Sequence, residues 1–196
     1  MRRDVRHTPY IWWLVIIVSV GISISYANTA PKNAGQPTEY EVKAAFLFNF
    51  AKFVEWPVSA LVSTDSVLII GVLAPEDVVD VFKEVIGQKV VKNRRILIRQ
   101  YYWYRDIEFC HILFVGNNES KRLPRILNFI KNKPILTVGD QIEGFAEAGG
   151  IINFVLNDKL VNFEINPTAA KRLDIQISSK LLRLATIVDD DQEARE

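Results

Sequence analysis

The chain has few of the side chains that perform chemistry. Its 196 residues include one cysteine, Cys110, and two histidines, His7 and His111. A single cysteine excludes an intrachain disulfide in any redox compartment. Beyond residue 27 the one cysteine and one histidine cannot build a structural zinc site, which needs several converging N or S ligands. Cys110 and His111 are neighbours in the apolar run 110–115. Adjacent strand side chains point to opposite faces, so these two cannot pair as thiolate and imidazole. They read as an inert core thiol and a satisfied core histidine.

Glycine is also sparse, at nine residues, and no G-x-G-x-x-G or G-x-x-x-x-G-K-[ST] pattern occurs. A phosphate-cradling loop is therefore excluded. Gly149 and Gly150 precede a strand-like run rather than a helix, so they offer no helix N-terminus to an anion. No charge sign dominates: 24 basic residues face 23 acidic ones. That balance does not draw nucleic acid. The cluster Lys89, Lys92, Arg94 and Arg95 reads as the solvated edge of a strand. Glu76–Asp77 and residues 189–191 read as a helix start and a charged tail. No catalytic residue, metal or cofactor is expected, and the chain is not expected to be an enzyme.

What is present begins with a leader. Arg2, Arg3 and Arg6 precede an apolar stretch of about 14 residues, short of the roughly 20 that span a bilayer. Ser25 and Ala27 stand at the −3 and −1 positions of a cut between Ala27 and Asn28. This is the layout of a cleaved secretory signal, residues 1–27, and implies an exported soluble protein; an uncleaved membrane anchor is the other reading. Three basic and one acidic residue lie in that leader, so the remainder is one charge negative. Residues 28–37 read as a flexible lead-in.

Thr38 and Glu41 form a capping-box pattern, so a helix is expected from there to a stop near Trp56-Pro57. One stripe carries Val42, Ala45, Phe46, Asn49 and Phe53; a second carries Leu47, Phe50, Ala51 and Val54. A helix this apolar is buried on more than one side or lies at an interface. Strand-like runs follow at 67–73, 95–99, 110–115 and 134–138, separated by helical patterns at 75–86 and 120–131. Near-continuous Val/Ile/Leu runs between helices indicate a covered parallel sheet. Residues 150–156 and 159–165 read as a hairpin turning at Asn157-Asp158. Asn166 caps a helix with Pro167 in its first turn, and Ser178 begins a last amphipathic helix carrying Leu181, Leu182, Leu184 and Ala185. The expected fold is a single α/β domain over 38–188, with a mixed, mostly parallel sheet flanked by helices, a C-terminal β-hairpin and a charged tail, 189–196. Phe46 and Phe163 are expected core residues. The aromatic run 101–104 is either a partner surface or half packed beneath a loop.

Four stretches carry a resemblance: residues 40–57 (YEVKAAFLFNFAKFVEWP), 110–115 (CHILFV), 136–140 (LTVGD), and 149–185 with GGIINF, VNFEIN and ISSKLLRLA. Together they resemble the YfiR family of periplasmic proteins. The resemblance implies a repressor that holds the periplasmic sensor domain of an inner-membrane diguanylate cyclase inactive. Cyclic-di-GMP and biofilm formation are the readout, and an outer-membrane lipoprotein relieves the brake. The best-described members use paired cysteines; with Cys110 alone, an internal disulfide cannot be the switch here. A homodimer is an open alternative. The polar residues in these segments, Lys43, Asn49, Lys52, Glu55, Trp56, Asp140, Asn153 and Glu164, are the candidates for a partner or ligand surface. Glu164 falls on the face opposite Phe163 and Ile165, either as a surface charge on the solvent side of the hairpin or in a polar pocket with Lys52 that would orient the first helix on the hairpin. The other functional reading is a small-ligand module acting with another membrane receptor or sensor kinase. Its cavity would lie beside Gly149-Gly150, lined by Asn49, Lys52, Asp140, Asn153 and Glu164; the other reading of these five is capping and buried hydrogen bonding.

Overall fold

A computed structural model describes residues 37–61, 67–158 and 160–189. The leader, its cleavage site, most of the lead-in and nearly all of the tail lie outside the described residues. The first helix, α1 (Glu39–Phe53), starts as its sequence dictates. The Thr38 hydroxyl accepts from the Glu41 N–H at 3.3 Å, and the Glu41 carboxylate accepts from the Thr38 N–H at 2.6 Å. Both satisfy donors that a helix start leaves open. The chain turns extended at Val54, two residues before Trp56-Pro57, where a helix cannot continue.

Eight strands form the main sheet: β2 (Val67–Leu73), β3 (Val90–Val91), β4 (Arg94–Gln100), β5 (Ile112–Val115), β6 (Leu136–Asp140), β7 (Ile152–Asn157), β8 (Leu160–Ile165) and β10 (Thr186–Ile187). Their order is β10-β8-β7-β6-β5-β2-β4-β3. The five strands β4, β2, β5, β6 and β7 are parallel; β3 and β8 are antiparallel to their neighbours β4 and β7. The sheet is thus mixed and mostly parallel, with the expected hairpin. A second, two-stranded sheet joins β1 (Val54–Glu55) to β9 (Gln176–Ile177).

Alternation along each strand sorts the core into two layers. Ile70, Val72, Phe114, Val138, Phe154 and Phe163 face one way, packed with α1, the one-turn α2 (Val58–Leu61), α3 (Glu76–Ile86) and the short helices α5 (Pro167–Arg172) and α6 (Ser179–Leu182). Ile69, Leu73, Leu113 and Val115 face the other way, under α4 (Leu123–Ile130) and the 141–150 loop. On α1 Leu47, Phe50 and Ala51 are fully buried, as is Val54 just beyond its end, whereas Phe46 and Phe53 are half-buried. Phe46 is therefore a flank of the core rather than its centre. Its ring lies 6.1 Å from Phe50 and 5.4 Å from Phe163, which is itself buried.

Three local expectations change. The helix read over 120–131 divides into a 3-10 segment, Asn117–Arg122, and α4, with Pro124 at the α-helical start. The last helix is one turn only, since the chain must extend by Thr186 to pair in parallel with β8; Leu184 is left 72% exposed. Gly149 and Gly150 end a turn rather than open a strand. The Phe145 ring wedges over β6 so closely that a Cβ on Gly150 would lie 2.2 Å from it, and one on Gly139 2.6 Å. Gly149 adopts φ 96°, which favours glycine.

Candidate functional site

The polar residues singled out from the sequence divide into three places. At the C-terminal end of β6, Lys43 and Asp140 come together although neither is exposed: Lys43 is 0% and Asp140 2% accessible. The Lys43 ammonium donates to the Asp140 carboxylate and to Glu39 one turn earlier on α1. The second Asp140 oxygen accepts from the Tyr40 hydroxyl at 3.1 Å. Burial first, and then the Asp140 charge, push the Tyr40 phenol well above its ordinary value. Gln141 donates to Glu39 at 2.8 Å, and the Asn117 amide donates to the Asp140 and Gln141 carbonyls at 3.3 and 2.8 Å. The ammonium also lies 4.8 Å from the Tyr40 ring centroid, within cation–π range.

This network is closed: each oxygen of Asp140 and the Lys43 ammonium have partners. It fixes the start of α1 against the end of β6, and offers no idle acid or base. Lys43 and Asp140 are thus not surface residues, contrary to the sequence expectation. The sequence signal was their setting. A charge inside an apolar helix or at the end of an apolar strand is buried only when paired. Tyr40 completes the site and was not singled out.

Asn153 lies across the strand from Gly139 and is also buried. Its side chain donates to the Ile142 carbonyl at 3.0 Å and accepts from the Ile142 N–H at 3.2 Å, closing the 141–150 loop onto β7. It is a loop clamp, pointing to the face opposite α1.

The third place is the C-terminal end of α1, nine residues or about 14 Å along the helix from Lys43. Asn49 is half-buried, and Lys52 and Glu55 are exposed. Glu55 is 4.0 Å from Lys92, whose ammonium donates to the Val54 carbonyl at 3.0 Å. Trp56 is not a surface group: it is 8% exposed and its indole N–H donates to the His111 carbonyl at 2.9 Å. Glu164 pairs with Asn153 in the hairpin register, so it shares the Asn153 face, while Phe163 and Ile165 face α1. Lys52 and Glu164 therefore lie on opposite sides of the sheet, and the pocket expected between them does not form.

A cleft of about 900 Å³ opens beside Gly149, between α4 and α5, with Thr137, Ile151, Ala169 and Asn128 in its wall. Its size suits a small organic molecule. None of the five polar residues expected to line such a cavity belongs to its wall.

Cys110 and His111 are fully buried. Burial pushes the thiol up to about 12, which keeps it protonated and unreactive. The His111 Nδ1 accepts from the Ile69 N–H at 3.0 Å, and burial, reinforced by Arg94, depresses its pKa to about 4. Between pH 4 and the ordinary 6.5, the unfolded chain binds the extra proton and the folded one does not. The contribution is complete above about 6.5 and is lost as the pH falls toward 4, up to roughly 3 kcal/mol. Urea midpoints should fall over that interval, and His111→Asn should flatten the slope. An unchanged slope in that variant would assign the acid sensitivity elsewhere.

The aromatic run splits evenly. Tyr101 and Tyr104 are buried, Tyr102 is 77% exposed, and Trp103 lies 4.7 Å beneath the Arg122 guanidinium.

No helix among the described residues is long and apolar enough to cross a membrane. No curated protein matches this sequence. Among solved structures, a conserved domain protein from Vibrio cholerae O1 biovar El Tor is similar, with a TM-score of 0.53 and 13% identity. The match covers 76% of this chain and 60% of that one, and it shows the fold alone. The YfiR/HmsC-like family profile matches residues 40–186, from Tyr40 of the buried network to Thr186 of β10. A match over three quarters of the sequence, running through every element that builds the sheet, places this chain in the YfiR/HmsC-like family.

Proposed function

We propose that the chain is a periplasmic regulator that binds the periplasmic sensor domain of an inner-membrane diguanylate cyclase and holds it inactive. The cell's cyclic-di-GMP, and with it biofilm formation, falls as a result. The observation that carries this reading is membership of the YfiR/HmsC-like family over residues 40–186. The chemistry agrees with a binding role: the thiol and imidazole are buried, and the Lys43–Asp140 charges are spent on holding α1. On this reading residues 1–27 are removed after Ala27, the mature chain starts at Asn28, and 38–188 form the working domain before the charged tail. An outer-membrane lipoprotein is the partner that relieves repression, and the chain catalyses nothing. The signal that triggers relief is not an internal disulfide, because Cys110 has no second cysteine to join.

The cleft beside Gly149 favours a second reading, in which a small ligand occupies it and acts through another membrane receptor. Measuring cyclic-di-GMP in cells separates the two. Expression of the full chain should lower it, and expression without residues 2–27 should leave it unchanged. Exported, folded protein that leaves cyclic-di-GMP untouched would reject the cyclase reading.

A further inference from the structure

The edge of the sheet at β4 has open backbone groups, exposed apolar side chains and positive charge together. The Tyr101 N–H donates to the Val72 carbonyl at 2.8 Å, and the Ile96 N–H donates outward to Lys89 at 3.0 Å. Backbone groups alternate sides along a strand. Those of Ile98 and Gln100 therefore point outward, away from β2. The two-residue β3 pairs only with Arg94 and Arg95, so among the described residues no strand lies beside Ile98 and Gln100. On the face turned from α1, Arg95, Leu97 and Arg99 succeed one another; Leu97 is 44% exposed, and Tyr102 just beyond is 77% exposed. Lys89 and Lys92 are exposed at the β3 end.

We propose that this edge accepts an extended acidic segment of a protein partner, added as a further strand beside residues 97–100. The incoming strand would bond to the Ile98 and Gln100 backbone, place a carboxylate opposite Arg99 and an apolar residue opposite Leu97. This is strand addition, with main-chain bonds giving affinity and alternate side chains giving selectivity. An incoming carboxylate would displace Glu108, which lies 2.7 Å from the Arg99 guanidinium in an exposed ion pair of little worth, while Arg95 is exposed beside it. Charge argues against a second copy here. The antiparallel self-pairing that leaves β3 in place joins Ile98 to Gln100 and sets the two Arg99 side chains directly opposite, which is unfavourable. The proposal stands independently of the cyclase, because it concerns what the edge binds and not what the complex controls.

The test is amide exchange on the isotopically labelled full chain, followed by NMR. The probe is an acetylated octapeptide in which glutamate and valine take turns at every second position, separated by threonine, so that both fall on one face of the added strand. The acidic peptide should slow exchange at Ile98 and Gln100, bind more weakly as salt rises, and outcompete the same peptide carrying lysine for glutamate. The double variant Arg95→Glu/Arg99→Glu should weaken the acidic peptide about tenfold and favour the lysine peptide. Arg95→Gln/Arg99→Gln, which alters folding least, should remove the preference between them. Three results would each overturn the proposal: no slowing at Ile98 and Gln100, equal binding of both peptides, or protection of both amides without peptide in a self-associated chain. In the first case the arginines serve only to keep the edge from pairing.

Discussion

Lys43→Met should destabilise the fold by about 3–5 kcal/mol, more than any surface charge in the chain could. The reason is the partner left behind. Asp140 is 2% accessible, and with the ammonium gone its carboxylate remains buried against Tyr40 without a counter-charge. Removing both charges is different. In Lys43→Met/Asp140→Leu no orphan charge remains, and the methionine keeps the volume of the lysine stem against Tyr40 and Phe154. The double variant should recover most of the loss, since a buried ion pair replaced by apolar groups costs little. Urea titration of the unmodified chain, Lys43→Met, Asp140→Leu and the double variant gives the coupling directly. A Lys43→Met loss below about 1 kcal/mol would mean the ammonium reaches water, and the closed network would be wrong.

Phe50→Ala and Phe163→Ala should each cost about 3–5 kcal/mol. Both side chains are buried, and their rings meet edge-on at 5.2 Å, with Phe154 stacked 5.7 Å from Phe50. Truncation leaves a void between α1 and the hairpin that neither rigid element can close. Phe46→Ala should cost less, about 1–2 kcal/mol, because that ring is half in water already. Equal losses at Phe46 and Phe50 would overturn the assignment of the buried stripe.

The contrast between Phe46 and Phe50 marks where the sequence stops speaking. The capping box at Thr38, the stop before Pro57, the runs that became β2, β5 and β6, and the hairpin are local signals, and each could be read from a few residues. The orientation of α1 could not. Its two stripes are nearly equally apolar, so amphipathicity does not choose which one faces the sheet. That choice is made by Lys43 reaching Asp140, a contact across 97 residues. Alternation sets Glu164 opposite Phe163 and Ile165, as the structure has it, but not which face of the sheet α1 covers, and that is what separates Glu164 from Lys52. Gly139, Gly149 and Gly150 looked like turn punctuation, and their common cause, the Phe145 ring laid over the strand, is a tertiary fact.

Of the candidate site, neither the pairing of these side chains nor their location was legible. Polar residues within apolar segments did mark special positions. Lys43, Asp140, Asn153 and Trp56 turned out to hold the fold together from inside, leaving Lys52, Glu55 and the half-buried Asn49 and Glu164 closer to solvent. A regulator that works by contact needs a rigid scaffold and a surface, and the buried four supply the first.

The most direct measurement is to recover the full chain, crosslinked in living cells, from solubilised inner membranes and to identify its partner by mass spectrometry. The account predicts a membrane protein whose cytoplasmic portion is a diguanylate cyclase, with crosslinks confined to its periplasmic domain. Recovery of a membrane receptor with no cyclase domain, or of the chain alone, would contradict it.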